Sequence, residues 1–141
     1  MGGAVMKTLA QVMKAPVITV KAQDNAIDLC DLARKHQISH FPVVENDKLV
    51  GIVTDRTIRE ATTSPRIYQL LLDLLATVDR VRIEEIINPN VITAPPDMPL
   101  PEAAKLMLER KIGCLPVVKD GKLIGIVTTS DVLGALVDQA Q

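Results

Sequence analysis

A repeated phrase constrains the fold of this chain more than any other feature. The stretch "LVGIVTDRTIR" near the middle returns as "LIGIVTTSDVL" 74 residues later, and the shorter phrases "VIT" and "PVV" return at the same offset. About fifteen of roughly fifty aligned positions are identical, where chance gives about three. The sequence therefore predicts two copies of one supersecondary unit that bury their apolar faces together.

Each copy begins with an extended segment that leads into an amphipathic helix. Pro99 and Pro101 suit the first turn of the second-copy helix. Apolar residues at i, i+3, i+4, i+7 and i+8 predict its buried face. The buried face expected in the first copy consists of Ala26, Leu29, Cys30 and Ala33. The face expected in the second copy consists of Leu100, Ala103, Ala104, Met107 and Leu108.

Two short strands and a closing helix complete each copy. The dipeptides Asn46-Asp47 and Asp120-Gly121 predict two-residue hairpin loops. The surrounding Val and Ile residues predict strands buried on both faces. Closing helices are expected at 56–61 and 130–137. The order β-α-β-β-α, given twice, predicts an α+β fold.

The segment between the copies predicts one further helix, at 65–77. Ser64 can cap it, Pro65 suits its first position, and apolar residues form one stripe from Ile67 to Val78. That stripe either packs on the core or serves a partner. We therefore divide the chain into a first repeat (8–62), a helical linker (63–81) and a second repeat (82–138).

Composition excludes several classes of protein. Only 1% of residues are aromatic, so the core is aliphatic and no base-stacking surface is expected. Sixteen basic residues against seventeen acidic ones give no excess charge for nucleic acid. No apolar run reaches the length of a membrane span, and no signal peptide is evident. Cys30 and Cys114 are expected as buried, reduced thiols of a cytoplasmic protein.

The doubled "VIT", "PVV" and "GIVT" phrases resemble the cystathionine-beta-synthase (CBS) domain family in its free-standing tandem form. The resemblance implies a Bateman module, in which two CBS units pack with pseudo-two-fold symmetry and leave two clefts between them. It also implies adenosine-containing ligands such as AMP, ADP, ATP or S-adenosylmethionine, a homodimer, and regulation of an effector protein. The linker and "GIVTDR" also resemble free-standing proteins of the acetoin-utilisation type.

The second repeat carries the family's complete nucleotide motif, a strand ending at Thr128 with Asp131 three residues on. N–H groups at a helix start attract phosphate, and a carboxylate can hold two ribose hydroxyls. The same spacing also suits a helix-capping box, and the two roles are compatible. The expected ligand-binding residues are Val91, Ile92, Thr93, Ile112, Gly113, Cys114, Leu115, Pro116, Thr128, Ser130 and Asp131.

The first repeat has Thr57 where the motif requires an aspartate, so its cleft is expected to be empty, weak or reshaped. His40 occupies a position that often carries a basic phosphate ligand in the family; the alternative is a neutral histidine at a strand end. Arg56 is either a phosphate contact or a solvated arginine. The candidate residues of this second cleft are Thr19, His40, Pro42, Thr54, Asp55 and Arg56.

These patterns favour a regulatory module that senses an adenosine ligand and signals to a partner in trans. The alternative is a ligand-free scaffold that oligomerises through the CBS pair. No enzyme is expected, since no Ser-His-Asp order or phosphate-binding glycine loop occurs. His36 and His40 have a helical metal spacing, but Pro42 indicates that the helix ends before His40, so no metal site is expected.

Overall fold

The computed structural model describes residues 7–54 and 82–139, without the side chains at 27, 30, 31 and 34. It mixes helices with two small antiparallel sheets and confirms the α+β expectation. The closing helix of the first repeat and the linker helix lie outside the described residues. The elements are α1 (Leu9–Val12), α2 (Ala26–His36), β1 (His40–Glu45), β2 (Lys48–Thr54), a 3-10 helix (Ile83–Glu85), α3 (Leu100–Arg110), β3 (Cys114–Lys119), β4 (Lys122–Thr128) and α4 (Thr129–Gln139).

Both predicted hairpins are present. β1 pairs with β2 and β3 with β4, each through a two-residue loop. The loop residues have positive φ angles, 51° and 66° at Asn46 and Asp47, and 52° and 77° at Asp120 and Gly121. Positive φ at both positions is the type I′ geometry that matches the twist of the strands. Consecutive residues within each strand are buried, so both faces of the strand are covered there. The residues beside the hairpin loops are exposed.

The long helices follow the predicted pattern with one correction. α2 ends at His36 and Gln37 takes a positive φ, so His36 and His40 lie on different elements. In α3 the buried residues are Leu100, Ala103 and Met107. Leu108 is 80% exposed, so its assignment to the buried face was wrong. Each helical residue turns about 100°, and Leu108 stands one such step from Met107, outside the buried stripe.

The chain folds into two compact units that do not follow the sequence order. One, here called the split unit, joins Met1–Val17 to Ile92–Gln141; the continuous unit is Ile18–Val91. Each repeat therefore begins with a lead segment that packs in the unit of the opposite repeat. The leads are residues 8–17 and 82–91.

The two leads use the same backbone bonds. Lys14 and Ile126 exchange two backbone hydrogen bonds, of 2.9 and 3.1 Å, and Asn88 and Ile52 do the same at 2.9 and 3.0 Å. Each lead thus adds a short bridge to the free edge of a hairpin, β4 or β2. On the opposite edge of each hairpin lies an isolated parallel bridge. It joins Val20 to β1 in the continuous unit and Ala94 to β3 in the split unit.

Each lead also contains a helical turn that the sequence analysis did not predict. α1 and the 3-10 helix begin alike: the Thr8 N–H donates to Gln11 Oε1 at 2.8 Å, and the Arg82 N–H to Glu85 Oε2 at 2.9 Å. The turn presents one apolar side chain to the interior. Leu9 lies in the core cluster of the split unit and Ile83 in that of the continuous unit.

Candidate functional site

The turn from β4 into α4 holds the carboxylate that the sequence singled out. Asp131 Oδ2 accepts hydrogen bonds from the Thr128 backbone N–H at 2.8 Å and from Thr128 Oγ1 at 3.0 Å. The helix begins at Thr129, one residue earlier than expected. The capping role foreseen for Asp131 is therefore present, because its side chain satisfies an N–H at the start of the helix.

A lysine from the lead of the first repeat completes this turn. Lys14 Nζ lies 3.3 Å from Asp131 Oδ1, the oxygen that Thr128 does not use. The Asp131 side chain is 11% exposed and that of Lys14 is 61% exposed, so the lysine is the more exposed partner of this ion pair. We call Lys14, Thr128 and Asp131 the Asp131 corner.

Sequence reasoning missed Lys14. At the aligned position the second repeat has Asn88, so the repeat pattern drew no attention to it. The backbone bridge from Lys14 to Ile126 places it two residues along β4 from Thr128. The pairing of a lead with the opposite hairpin was the missing information.

Two further predicted residues lie against the same turn. The Gly113 carbonyl accepts hydrogen bonds from the Thr129 N–H at 3.0 Å and from Thr129 Oγ1 at 3.2 Å. Cys114 is the ladder partner of Thr128 across the hairpin. The structure therefore brings Gly113, Cys114, Thr128 and Asp131 together around the end of β4.

The remaining predicted residues of this group have varied surroundings. Leu115 and Pro116 are fully buried, and the Pro116 carbonyl accepts the Ala94 N–H at 3.1 Å. Ile92 and Ile112 pack partly buried on the core of the split unit. Thr93 and Ser130 are exposed, and Val91 falls at the end of the continuous unit.

Two of the first-repeat candidates, His40 and Thr54, lie where β1 begins and β2 ends in the continuous unit. His40 and Thr54 are ladder partners, as Cys114 and Thr128 are in the split unit. The Pro42 carbonyl accepts the Val20 N–H at 3.0 Å, and Thr19 is exposed. Asp55 and Arg56, like Thr57, lie outside the described residues.

Burial controls the chemistry of Cys114. The side chain is buried at the start of β3, and burial raises the pKa of the thiol from 9.0 to about 12. The thiol therefore stays protonated at neutral pH and provides neither a cation nor a thiolate nucleophile. The expected burial is confirmed at Cys114, which forms no disulfide, whereas the side chain of Cys30 lies outside the described residues.

This raised pKa predicts a pH dependence of stability. Above pH 9 the unfolded chain releases the Cys114 proton while the folded chain retains it, so stability present below pH 9 is lost as the pH rises toward 12. Relative to Cys114→Ala, the native protein should lose about 1.4 kcal/mol of unfolding free energy between pH 8 and pH 10. Urea unfolding of both proteins at the two pH values measures the difference. Equal losses in both would contradict the assignment.

Two other kinds of site were sought within the described ranges, 7–54 and 82–139. There, no group of three His, Cys, Asp or Glu side chains has an arrangement that could hold a metal ion. No helix in those ranges is long and apolar enough to cross a membrane.

Comparison with known proteins shows the family to which this chain belongs. The family model of the CBS domain matches residues 9–64 and again residues 83–138. A CBS domain-containing protein of Dictyostelium discoideum is 38% identical over 136 residues, which cover 94% of this chain and 93% of that protein. The chain thus has nearly the full length of this relative.

Two solved structures are similar over almost the whole chain. One is the CBS domain pair of protein MJ0100 in complex with 5′-methylthioadenosine and S-adenosyl-L-methionine, with a TM-score of 0.79 and 29% identity, covering 97% of this chain and 100% of that one. The other is CBSX2 in complex with AMP, also with a TM-score of 0.79, at 27% identity, covering 96% of this chain and 99% of that one.

Proposed function

Because this chain belongs to the CBS domain family and carries two CBS domains in tandem, we propose that it is a sensor of adenosine-containing ligands. The proposed ligand class comprises AMP, ADP, ATP and S-adenosylmethionine. The proposed site is the Asp131 corner of the split unit, with the neighbouring residues around the end of β4.

The observation that carries the proposal is the position of the Asp131 carboxylate. It lies in the first turn of α4, where the N–H groups have no intrahelical acceptor and favour an anion. The Thr129 N–H already donates a hydrogen bond to the Gly113 carbonyl. An anion would therefore bind the N–H groups that follow Thr129 in that turn. Asp131 Oδ1 faces Lys14 rather than Thr128, and this oxygen is suited to accept ribose hydroxyls.

The ligands of the two similar structures support the same class. 5′-Methylthioadenosine, S-adenosyl-L-methionine and AMP share adenosine and differ at the 5′ group. A carboxylate that binds the ribose contacts the adenosine part, which all three ligands share. This agrees with a site in which one acidic side chain is the central polar group.

The proposed output is regulatory rather than enzymatic. We propose that the chain forms a homodimer and that an effector protein in trans responds to the bound ligand. A ligand shifts such an equilibrium only by its differential affinity for two states of the protein. A ligand-free scaffold is the competing function. The scaffold function predicts that the chain binds no adenosine ligand. It also predicts that light scattering gives the same oligomeric mass with and without ligand.

The test is a titration calorimetry panel of AMP, ADP, ATP, S-adenosylmethionine, 5′-methylthioadenosine and GMP. The native chain should bind at least one adenosine ligand, and more tightly than GMP, which shares the ribose and phosphate and differs in the base. Asp131→Asn retains an acceptor for the Thr128 N–H but loses the charge, so it separates ligand binding from capping. We expect Asp131→Asn to weaken binding at least about tenfold, the loss of one charge-assisted hydrogen bond.

The matched control is Asp138→Asn, the same substitution at an exposed position of α4. It should leave the dissociation constant unchanged. The stoichiometry should be about one ligand per chain, because the first repeat has Thr57 in place of the acid. Native affinity in Asp131→Asn would overturn the site, and a panel without binding would favour the scaffold.

A further inference from the structure

We propose that Lys14 determines which adenosine ligands this site prefers, by exchanging its bond to Asp131 for a bond to an anionic group of the ligand. The inference rests on the proposed function and deepens it. It assigns the preference to ligands with a negatively charged 5′ group, the AMP class, over neutral adenosine and the sulfonium of S-adenosylmethionine.

The first step is the occupancy of the carboxylate. Asp131 Oδ2 already accepts two hydrogen bonds from Thr128, and Lys14 Nζ stands at 3.3 Å from Oδ1. With this ammonium group in place the Asp131 side chain is only 11% exposed. A ribose that approaches Oδ1 therefore meets an ammonium group that lies 3.3 Å from this oxygen. Ribose hydroxyls compete with the ammonium group for Oδ1, and a ribose that binds there in its place displaces it.

The second step is the limit on that movement. Lys14 is held by its own backbone, since its N–H donates to the Ile126 carbonyl at 2.9 Å and its carbonyl accepts the Ile126 N–H at 3.1 Å. Displacement therefore rotates the flexible four-carbon side chain and leaves the backbone in place. The ammonium group stays beside the carboxylate and the bound ligand.

The third step is the balance of charge. A neutral nucleoside that displaces Lys14 breaks a charge-assisted contact and offers the ammonium group no new anion. AMP breaks the same contact and supplies a phosphate that the displaced ammonium group can bind. A sulfonium ligand adds a positive charge near Lys14 instead. The ladder partner of Thr128 is Cys114, whose side chain carries no cation, so Lys14 is the basic group that the structure places at this corner.

The experiment compares AMP and adenosine on the full chain by titration calorimetry. In the native protein AMP should bind at least about tenfold more tightly than adenosine, the effect of one charge-assisted contact. Lys14→Met keeps an unbranched side chain and both backbone bonds, and should bring the two dissociation constants together. Lys14→Arg keeps the charge and should retain the preference. Lys122→Met removes a lysine at the β3–β4 hairpin and should behave as the native protein.

Salt dependence gives a second readout that a purely structural role of Lys14 would not change. The native AMP affinity should fall between low and physiological ionic strength, and that of Lys14→Met should fall less. An unchanged ratio of AMP to adenosine affinity in a folded Lys14→Met protein overturns the inference and leaves the proposed function intact. Failure of every adenosine ligand to bind the native chain overturns both.

Discussion

Replacement of Leu9 by alanine is expected to lower the free energy of unfolding by about 2–5 kcal/mol. Leu9 has 0% exposure and belongs to the core cluster of the split unit, together with Leu115 and Val127 of the second repeat. Removal of its side chain loses apolar burial and leaves a cavity in that cluster. Urea unfolding followed by circular dichroism measures the change.

The matched control is Leu108→Ala, the same substitution at a position that is 80% exposed on α3. It should change the free energy of unfolding by no more than about 0.5 kcal/mol. Equal small effects of the two substitutions would show that residues 8–17 do not contribute to the core. That outcome would contradict the exchange of lead segments.

The glycines of the two "GIVT" phrases give the second large effect. A side chain at Gly51 would collide with Ile87 and would stand 3.0 Å from the Asn88 carbonyl oxygen, and one at Gly125 would collide with Met13. Each glycine lets a lead segment cross the strand closely. Alanine at either position should cost about 1–3 kcal/mol of unfolding free energy.

The order of the two effects is itself a prediction. Gly51→Ala should lower the free energy of unfolding more than Gly125→Ala does. Ile87 is branched and the Asn88 contact is with the backbone, whereas the unbranched Met13 can rearrange.

The control for both substitutions is Gly134→Ala. It meets nothing within 4 Å on α4 and should stabilise the protein by about 0.5–1 kcal/mol. A double variant, Met13→Ala with Gly125→Ala, should show a smaller effect of Gly125→Ala. Additive losses would indicate that Met13 is not the obstacle.

The capping role of Asp131 and its proposed role in ligand binding use different oxygens of the carboxylate. Oδ2 serves Thr128 and thereby the start of α4, while Oδ1 serves Lys14. A ligand that takes only Oδ1 leaves the cap intact. Under the proposed function, one carboxylate stabilises the fold through Oδ2 and binds a ligand through Oδ1, and this is why the test uses Asp131→Asn, which keeps an acceptor for the Thr128 N–H.

Much of the local structure was predictable because it depends on neighbours in sequence. The hairpins follow from two-residue loops whose residues accept positive φ, and α2 and α3 follow from apolar spacing. The Thr128–Asp131 contact also spans only three residues, and the sequence pattern predicted it as a cap. Leu108 shows the limit, since an apolar stripe does not say which of its flanking residues a neighbour covers.

The sequence by itself determined the two repeats, their hairpins and long helices, the largely aliphatic core and the position of Asp131 in the first turn of α4. Only the tertiary structure decided that each lead packs with the hairpin of the opposite repeat, and hence that Lys14 meets Asp131. The physical reason is that a lead can satisfy its backbone groups at any open strand edge. Which edge it joins depends on packing between residues that are far apart in the sequence, and no local pattern records that packing.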